Sequence, residues 1–130
     1  MTDEEWHTFF RICSTVLGRG SSLARLSDSW CGWTTFDKLT DCIYYWNSGL
    51  PNSDDLEPTY VKDAGVWSQP FLYQSIAHIV IPKTFGWESA PGPDYIYDTK
   101  NQDIERLSRE LSDAGINHRK TDMVLEIKLY

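Results

Sequence analysis

The feature that most constrains the fold is an apolar run from Ile76 to Ile81, which is closed by Pro82. β-Branched residues dominate the run, and such residues favour strands. In a strand, successive side chains would face opposite sides, with His78 and Val80 on the same side. A strand that is apolar on both faces is normally covered on both. The run therefore predicts the central strand of a sheet.

The length and composition fit a small globular domain. The chain has 130 residues, and we predict a single domain over residues 1–130. A hydrophobic content of 41%, with six Trp, seven Tyr and five Phe, is ample for a packed core. The acidic start M-T-D-E-E-W has no apolar run behind it, and no stretch approaches the ~20 residues that span a bilayer. Three cysteines without Cys-x-x-Cys spacing indicate neither a disulfide framework nor a zinc site. We therefore expect a cytoplasmic protein with reduced thiols and no membrane contact.

The first of three predicted helices begins at the sequence Thr2-x-x-Glu5, which is a capping box. Apolar residues then recur at helical spacing from Trp6 to Leu17. Either Gly18 or Gly20 can supply the left-handed residue that ends the helix.

Two further helices are predicted from periodicity and end signals. The second runs from Phe36 to Trp46, although D-C-I-Y-Y-W within it also has strand propensity. The third begins at Thr99 or Asn101, continues to about Ala114 and is closed by Gly115.

Short strands are predicted at Thr59–Lys62 and Gly65–Ser68, joined as a hairpin. A last strand, Met123–Leu129, has apolar residues at its odd positions. The order of elements predicts an α+β fold with a largely antiparallel sheet of about four strands, packed with about three helices.

The net charge of −7 is concentrated in two segments. Residues 37–63 contain six carboxylates and two lysines, and residues 88–105 contain five carboxylates and one lysine. The second segment overlaps a stretch, 85–98, in which Gly86, Pro91, Gly92 and Pro93 are expected to prevent regular structure. An acidic surface attracts a basic protein and disfavours direct binding to nucleic acid. The predicted partner-binding residues are Asp54, Asp55, Glu57, Asp63, Trp87, Glu88, Asp94, Tyr95, Tyr97 and Asp98.

No sequence motif specifies a catalytic chemistry. The chain lacks G-x-S-x-G, Walker, G-x-G-x-x-G and H-E-x-x-H patterns, and its three histidines show no metal-ligand spacing. We expect no enzymatic activity, no metal and no cofactor. His78 is most simply a hydrogen-bonded core residue, and the alternative is a residue at the wall of a cleft.

A small, acidic, aromatic-rich cytosolic α+β domain without catalytic motifs resembles bacterial immunity proteins, which neutralise cognate toxins such as nucleases. The resemblance is one of overall type and not of motif. It implies a non-catalytic protein that binds a basic partner, and it assigns no residue roles. In this interpretation the acidic and aromatic residues named above would contact the partner. One alternative is a phage-type inhibitor whose carboxylates imitate nucleic-acid phosphates. Another is a small-molecule-binding domain or enzyme with a cleft near His78 or Cys31, which a preformed pocket with a polar cluster would favour.

Overall fold

A five-stranded antiparallel sheet forms the centre of the fold in the computed structural model, which describes residues 1–40, 42–90 and 92–130. Asp41, counted in the first acidic segment, and Pro91, a predicted breaker, lie outside the described residues. The predicted central strand is confirmed, because the strand at 76–82 has a hydrogen-bonded neighbour on each side. In spatial order the strands are β2 (Trp46–Ser48), β1 (Cys31–Thr35), β5 (Ile76–Pro82), β9 (Val124–Lys128) and β8 (Arg119–Lys120).

The described residues contain two α-helices, α1 (Asp3–Leu17) and α2 (Ile104–Asp113). The predicted capping box starts α1, since the Glu5 N–H donates to Thr2 Oγ1 at 3.1 Å and the Thr2 N–H donates to Glu5 Oε1 at 3.0 Å. The first predicted helix is thus confirmed. The third is confirmed over Ile104–Asp113, but its predicted start at Thr99 or Asn101 is wrong, because these residues belong to the strand Ile96–Asn101 and Asp103 caps the helix. Within residues 1–40, 42–90 and 92–130, no helix has the length and apolarity to cross a membrane.

The helix predicted over 36–46 is wrong. Phe36–Leu39 forms one 3₁₀ turn after β1, and Trp46 already belongs to β2. The chain reverses between these points because β1 and β2 pair antiparallel, so the strand propensity of this segment prevails over its helical spacing. Ile43, assigned to the buried helical face, is 65% exposed. The fold therefore has fewer helices, and its main sheet more strands, than predicted.

The hairpin predicted over 59–68 is also wrong in its second strand. β3 (Tyr60–Val61) pairs with β4 (Phe71–Leu72), and 65–68 forms a turn in which Ser68 has a φ of +66°. The reason is the burial of Trp67, whose indole N–H donates to the Gly49 carbonyl at 3.1 Å. Side-chain burial at this position overrides local strand propensity.

The two faces of the sheet differ. One face packs on α1 and α2 through a contiguous hydrophobic cluster that includes Trp33 and Ile79. The opposite face carries Gly32, His78 and Glu126, and the described helices contribute their buried residues to the first face. Packed layers therefore cover the central strand on one side, and on the other His78 is enclosed by neighbouring side chains.

Candidate functional site

The aromatic and acidic stretch predicted to be irregular forms a regular β-hairpin. β6 (Thr84–Ser89) pairs with β7 (Ile96–Asn101) in continuous register from Thr84–Asn101 to Ser89–Ile96. The prediction of a loop over 85–98 is therefore wrong for most of its length. Gly86 is accommodated within β6, and the described breakers Gly92 and Pro93 lie between the strands. Several of the predicted contact residues are consequently held in ordered strands.

The inner face of the hairpin is packed on the rest of the protein. Phe85, only 5% exposed, stacks on Trp30 with a ring separation of 5.7 Å and an interplanar angle of 15°. Lys100 lies directly across from Phe85 on this face. These contacts fix the base of the hairpin against the 3₁₀ turn at Ala24–Leu26.

Lys100 anchors the hairpin to that turn through its ammonium group. Its Nζ donates to the carbonyls of Ala24, Arg25 and Ser27 at 3.4, 2.9 and 2.8 Å. Hydrogen bonds from a charged group contribute about 1.5–3 kcal/mol. Lys100 is therefore a residue that orders the hairpin, a role its position in the sequence did not indicate.

Lys100→Met is expected to loosen the hairpin without unfolding the protein. Losing roughly 1.5–3 kcal/mol of local stability corresponds to about 10- to 100-fold faster amide hydrogen exchange in β6 and β7. Exchange measured by mass spectrometry tests this, with Lys62→Met, an exposed lysine, as the control. Unchanged exchange over residues 84–101 would show that Lys100 is not the anchor.

The outer face of the hairpin bears exposed rings and carboxylates. Tyr97 is 64% exposed and lies directly across from Glu88, and Tyr95 is 63% exposed. The Tyr95 hydroxyl donates to Glu88 Oε2, and this bond raises the pKa of the Tyr95 phenol. Asp94 and Asp98 are exposed in the same hairpin. The structure thus places the predicted contact residues of the second acidic segment in one hairpin but divides them between its faces, since Trp87 and Asp98 lie across from each other on the face of Phe85.

The carboxylates of the first acidic segment differ in exposure and in hydrogen bonding. Asp55 is structural, because its Oδ2 accepts hydrogen bonds from the Asn52 N–H at 3.0 Å and the Val66 N–H at 3.3 Å. Asp54 and Asp63 are exposed, and Glu57 is half-buried. The structure therefore leaves Asp54, Glu57 and Asp63 available to a partner and assigns Asp55 to the fold.

The two acidic segments attach to opposite ends of one connecting stretch, residues 20–27. Asn52 bonds the Gly20 N–H through Oδ1 at 2.9 Å and the Gly20 carbonyl through Nδ2 at 3.2 Å. Lys100 of the hairpin bonds the carbonyls at the other end of the stretch. This shared support was not visible in the sequence, since it depends on contacts between distant residues.

A second polar cluster lies on the face of the sheet opposite the helices. His78 Nδ1 is 2.6 Å from the Tyr45 hydroxyl, and His78 Nε2 is 2.7 Å from Glu126 Oε2. A neutral imidazole satisfies both bonds if Tyr45 donates to Nδ1 and Nε2–H donates to Glu126. Arg119 Nε lies 3.8 Å from the other Glu126 oxygen. His78 is therefore a hydrogen-bonded buried residue, as predicted, but its partners are side chains.

A cavity of about 470 Å³ adjoins this cluster, lined in part by Arg119, Glu126, Lys128 and Tyr130. His78 lies one hydrogen bond behind its wall. Cys31 lies on the opposite, packed face of the sheet, and burial raises the pKa of its thiol well above the usual range. The structure does not bring His78 and Cys31 together at one wall.

Two tyrosines, Tyr45 and Tyr73, are expected to make the stability of the protein depend on pH. Burial, together with the neighbouring Tyr130 and Glu126, raises the pKa of Tyr45 to about 12, and burial near Asp3 and Glu57 does the same for Tyr73. Because both values exceed that of an unfolded tyrosine, about 10, the stability they contribute is complete below pH 10 and is lost between pH 10 and 12.

We expect the free energy of unfolding to fall less steeply between pH 10 and 12 in Tyr45→Phe than in the unsubstituted protein. Denaturant titrations at each pH measure this slope, and ultraviolet titration should show one fewer late-ionising phenol. Identical slopes for the two proteins would contradict the assignment.

No protein-family model, curated protein or solved structure matches this chain. Among residues 1–40, 42–90 and 92–130, no group of three or more His, Cys, Asp or Glu side chains is arranged to hold a metal ion. The features that bear on function are therefore the hairpin, the acidic loop and the His78 cluster themselves.

Proposed function

We propose that this protein is a non-catalytic binding protein that neutralises a basic protein partner, as immunity proteins neutralise bacterial toxins. The observation that carries the proposal is the β6–β7 hairpin, which holds exposed tyrosines and carboxylates on an anchored, regular element. Aromatic residues dominate binding energy at protein interfaces, and complementary charge sets the rate and specificity of encounter.

The charges of the hairpin favour a basic partner. Residues 84–101 contain Glu88, Asp94 and Asp98 against the single lysine Lys100. The Lys100 ammonium is directed at backbone carbonyls of the adjacent turn, so it does not neutralise the outer face. The exposed outer surface of the hairpin is consequently anionic, with tyrosine rings among the charges.

We propose that the acidic loop, which is bonded to the same stretch of residues 20–27, contributes to the same binding surface. Asp54, Glu57 and Asp63 add carboxylates beyond those of the hairpin, and Asp55 is needed for the loop itself. Charges at the rim of an interface mainly accelerate association, by about 10- to 1000-fold at low salt. Removing them should therefore slow binding more than it speeds dissociation.

The test begins with affinity purification from native cells and reconstitution of any copurifying basic protein. Two charge-reversed variants are compared, one carrying lysine at 88, 94 and 98 and the other lysine at 54, 57 and 63. We expect the association rate at low salt to fall at least about tenfold in each, and the rate of the unsubstituted protein to fall as salt rises. Coexpression should protect cells from the partner if the partner is a toxin.

Lysine substitutions at Asp113 and Asp122 form the control, since both are exposed carboxylates outside the two segments. Tight binding that is indifferent to salt and to both charge reversals would overturn the proposal. Competition by DNA or RNA for the same partner would place the protein in the nucleic-acid-mimic class.

Small-molecule binding is a second candidate, favoured by the Tyr45–His78–Glu126 chain beside its cavity. Its test is an NMR titration with small carboxylates, phosphates and amines. Saturable shifts confined to Glu126, Lys128 and Tyr130 would support this function. Their absence across the set would assign the cluster to the stability of the sheet.

A further inference from the structure

A groove of about 510 Å³ separates the hairpin from the 3₁₀ turn at Ala24–Leu26. Glu88 and Tyr97 line it from one face of the hairpin, and Trp87 also borders it, although strand alternation directs the Trp87 side chain to the face that carries Phe85 and Lys100. The Tyr97 ring lies close to Gly86, since a Cβ added to Gly86 would be 3.7 Å from Tyr97 Cε2. Most of the Tyr97 side chain is exposed, so its ring can contact a ligand.

The groove also contains a carboxylate that is held in place and available. Tyr95 donates to Glu88 Oε2, and among the described residues no ion pair involves Glu88. Arg25 lines the same groove without pairing with it. The groove thus combines one exposed aromatic ring, that of Tyr97, with a carboxylate that forms no ion pair among the described residues.

A planar cation fits this combination. A guanidinium group stacks on aromatic faces and donates paired N–H groups to a carboxylate, whereas an ammonium group is compact and strongly hydrated. We infer that the groove beside Glu88 and Tyr97 is a binding site for an arginine side chain of the partner. This inference rests on the proposed function and identifies the residue type that the hairpin would recognise.

N-acetyl-arginine methylamide is the probe, with the corresponding citrulline and lysine compounds as comparisons. Citrulline has nearly the same shape without the charge. We expect arginine to shift the backbone amide resonances of Glu88 and Tyr97 saturably, and citrulline to bind at least tenfold more weakly. Equal responses to arginine and citrulline, or to arginine and lysine, would overturn the assignment of a guanidinium site.

Variants of the groove sharpen the test. Glu88→Gln and Tyr97→Leu should each weaken arginine binding about tenfold, and Tyr97→Phe, which keeps the ring, should restore it. Arg25→Gln should strengthen binding about threefold, because it removes a like charge from the groove. Asp122→Asn, an exposed carboxylate elsewhere, is the matched control. Unaltered arginine binding in Glu88→Gln would overturn the inference.

The outcomes separate this inference from the proposed function. If a basic partner binds and responds to charge reversal but not to Tyr97→Leu or Glu88→Gln, the arginine site is wrong and the proposed function stands. If arginine binds in the groove but native cells yield no basic partner, the arginine site stands and the proposed function is wrong.

Discussion

Gly20→Ala is expected to lower the free energy of unfolding by about 3 kcal/mol or more. A Cβ at this position would lie 1.9 Å from the Leu50 carbonyl oxygen and 3.0 Å from its carbon. These are backbone atoms, so no change of rotamer can relieve the overlap. Asn52 holds the two segments together through hydrogen bonds to both the N–H and the carbonyl of Gly20. The substitution therefore forces the segments apart or breaks those bonds.

Urea unfolding followed by circular dichroism measures the effect of Gly20→Ala, and the midpoint of thermal unfolding should fall by roughly 10 °C. Gly86→Ala is the matched control, because a Cβ there meets nothing closer than 3.7 Å. A loss below about 1 kcal/mol for Gly20→Ala would show that the two segments are not in close contact.

Gly20 also shows which roles of a glycine can be predicted from its neighbours in the sequence and which cannot. The spacing of apolar residues predicted that Gly18 or Gly20 ends α1, and Gly18 has the positive φ of +95° suited to this. Gly20 is required for a different reason, the approach of Leu50. A glycine needed for a distant contact has no signature in its neighbours.

The elements predicted correctly depend on interactions within a few residues. A capping box and helical periodicity identified α1, and Gly115 marked the end of α2, whereas the start of α2 was placed at Thr99 or Asn101 instead of after Asp103. The continuous apolar run identified β5. Each of these signals is contained in one short segment, so the structure that it predicts depends little on contacts with the rest of the chain.

The elements predicted wrongly depend on a partner elsewhere. The segment 36–46 reverses direction because β2 pairs with β1, and Trp67 leaves strand geometry to reach the core. The stretch 85–98 becomes a hairpin because its two halves pair, despite the glycine within β6. Local propensity is weak compared with such pairing and burial.

In the candidate site, too, features that depend on local sequence were predicted and features that depend on distant contacts were not. The sequence grouped Glu88, Tyr95 and Tyr97 as candidate contact residues, and in the fold all three are exposed. Sequence could not separate the structural Asp55 from its exposed neighbours, because that distinction depends on the N–H groups of Asn52 and Val66. Nor could it place Arg25 in the groove, since the hairpin and the 3₁₀ turn meet only in the folded chain.

Trp33 is the residue whose truncation should cost the most among the core side chains of the sheet. Its ring, 2% exposed, stacks on Trp67 at 3.8 Å between centroids and meets Phe71 edge-on. Trp33→Ala would leave a large cavity between the sheet and the segment that carries Trp67. We expect a loss of about 3–5 kcal/mol, measured by urea unfolding.

Trp33→Phe provides the informative comparison. The indole N–H of Trp33 is buried and, among the described residues, has no hydrogen-bond partner, so its burial opposes folding. Phenylalanine keeps an aromatic ring against Trp67 and removes this donor, so we expect a loss below about 1.5 kcal/mol. A loss as large as that of Trp33→Ala would mean that the indole N–H finds an acceptor in solution. A small loss in both variants would instead mean that the stacked pair contributes little to the core.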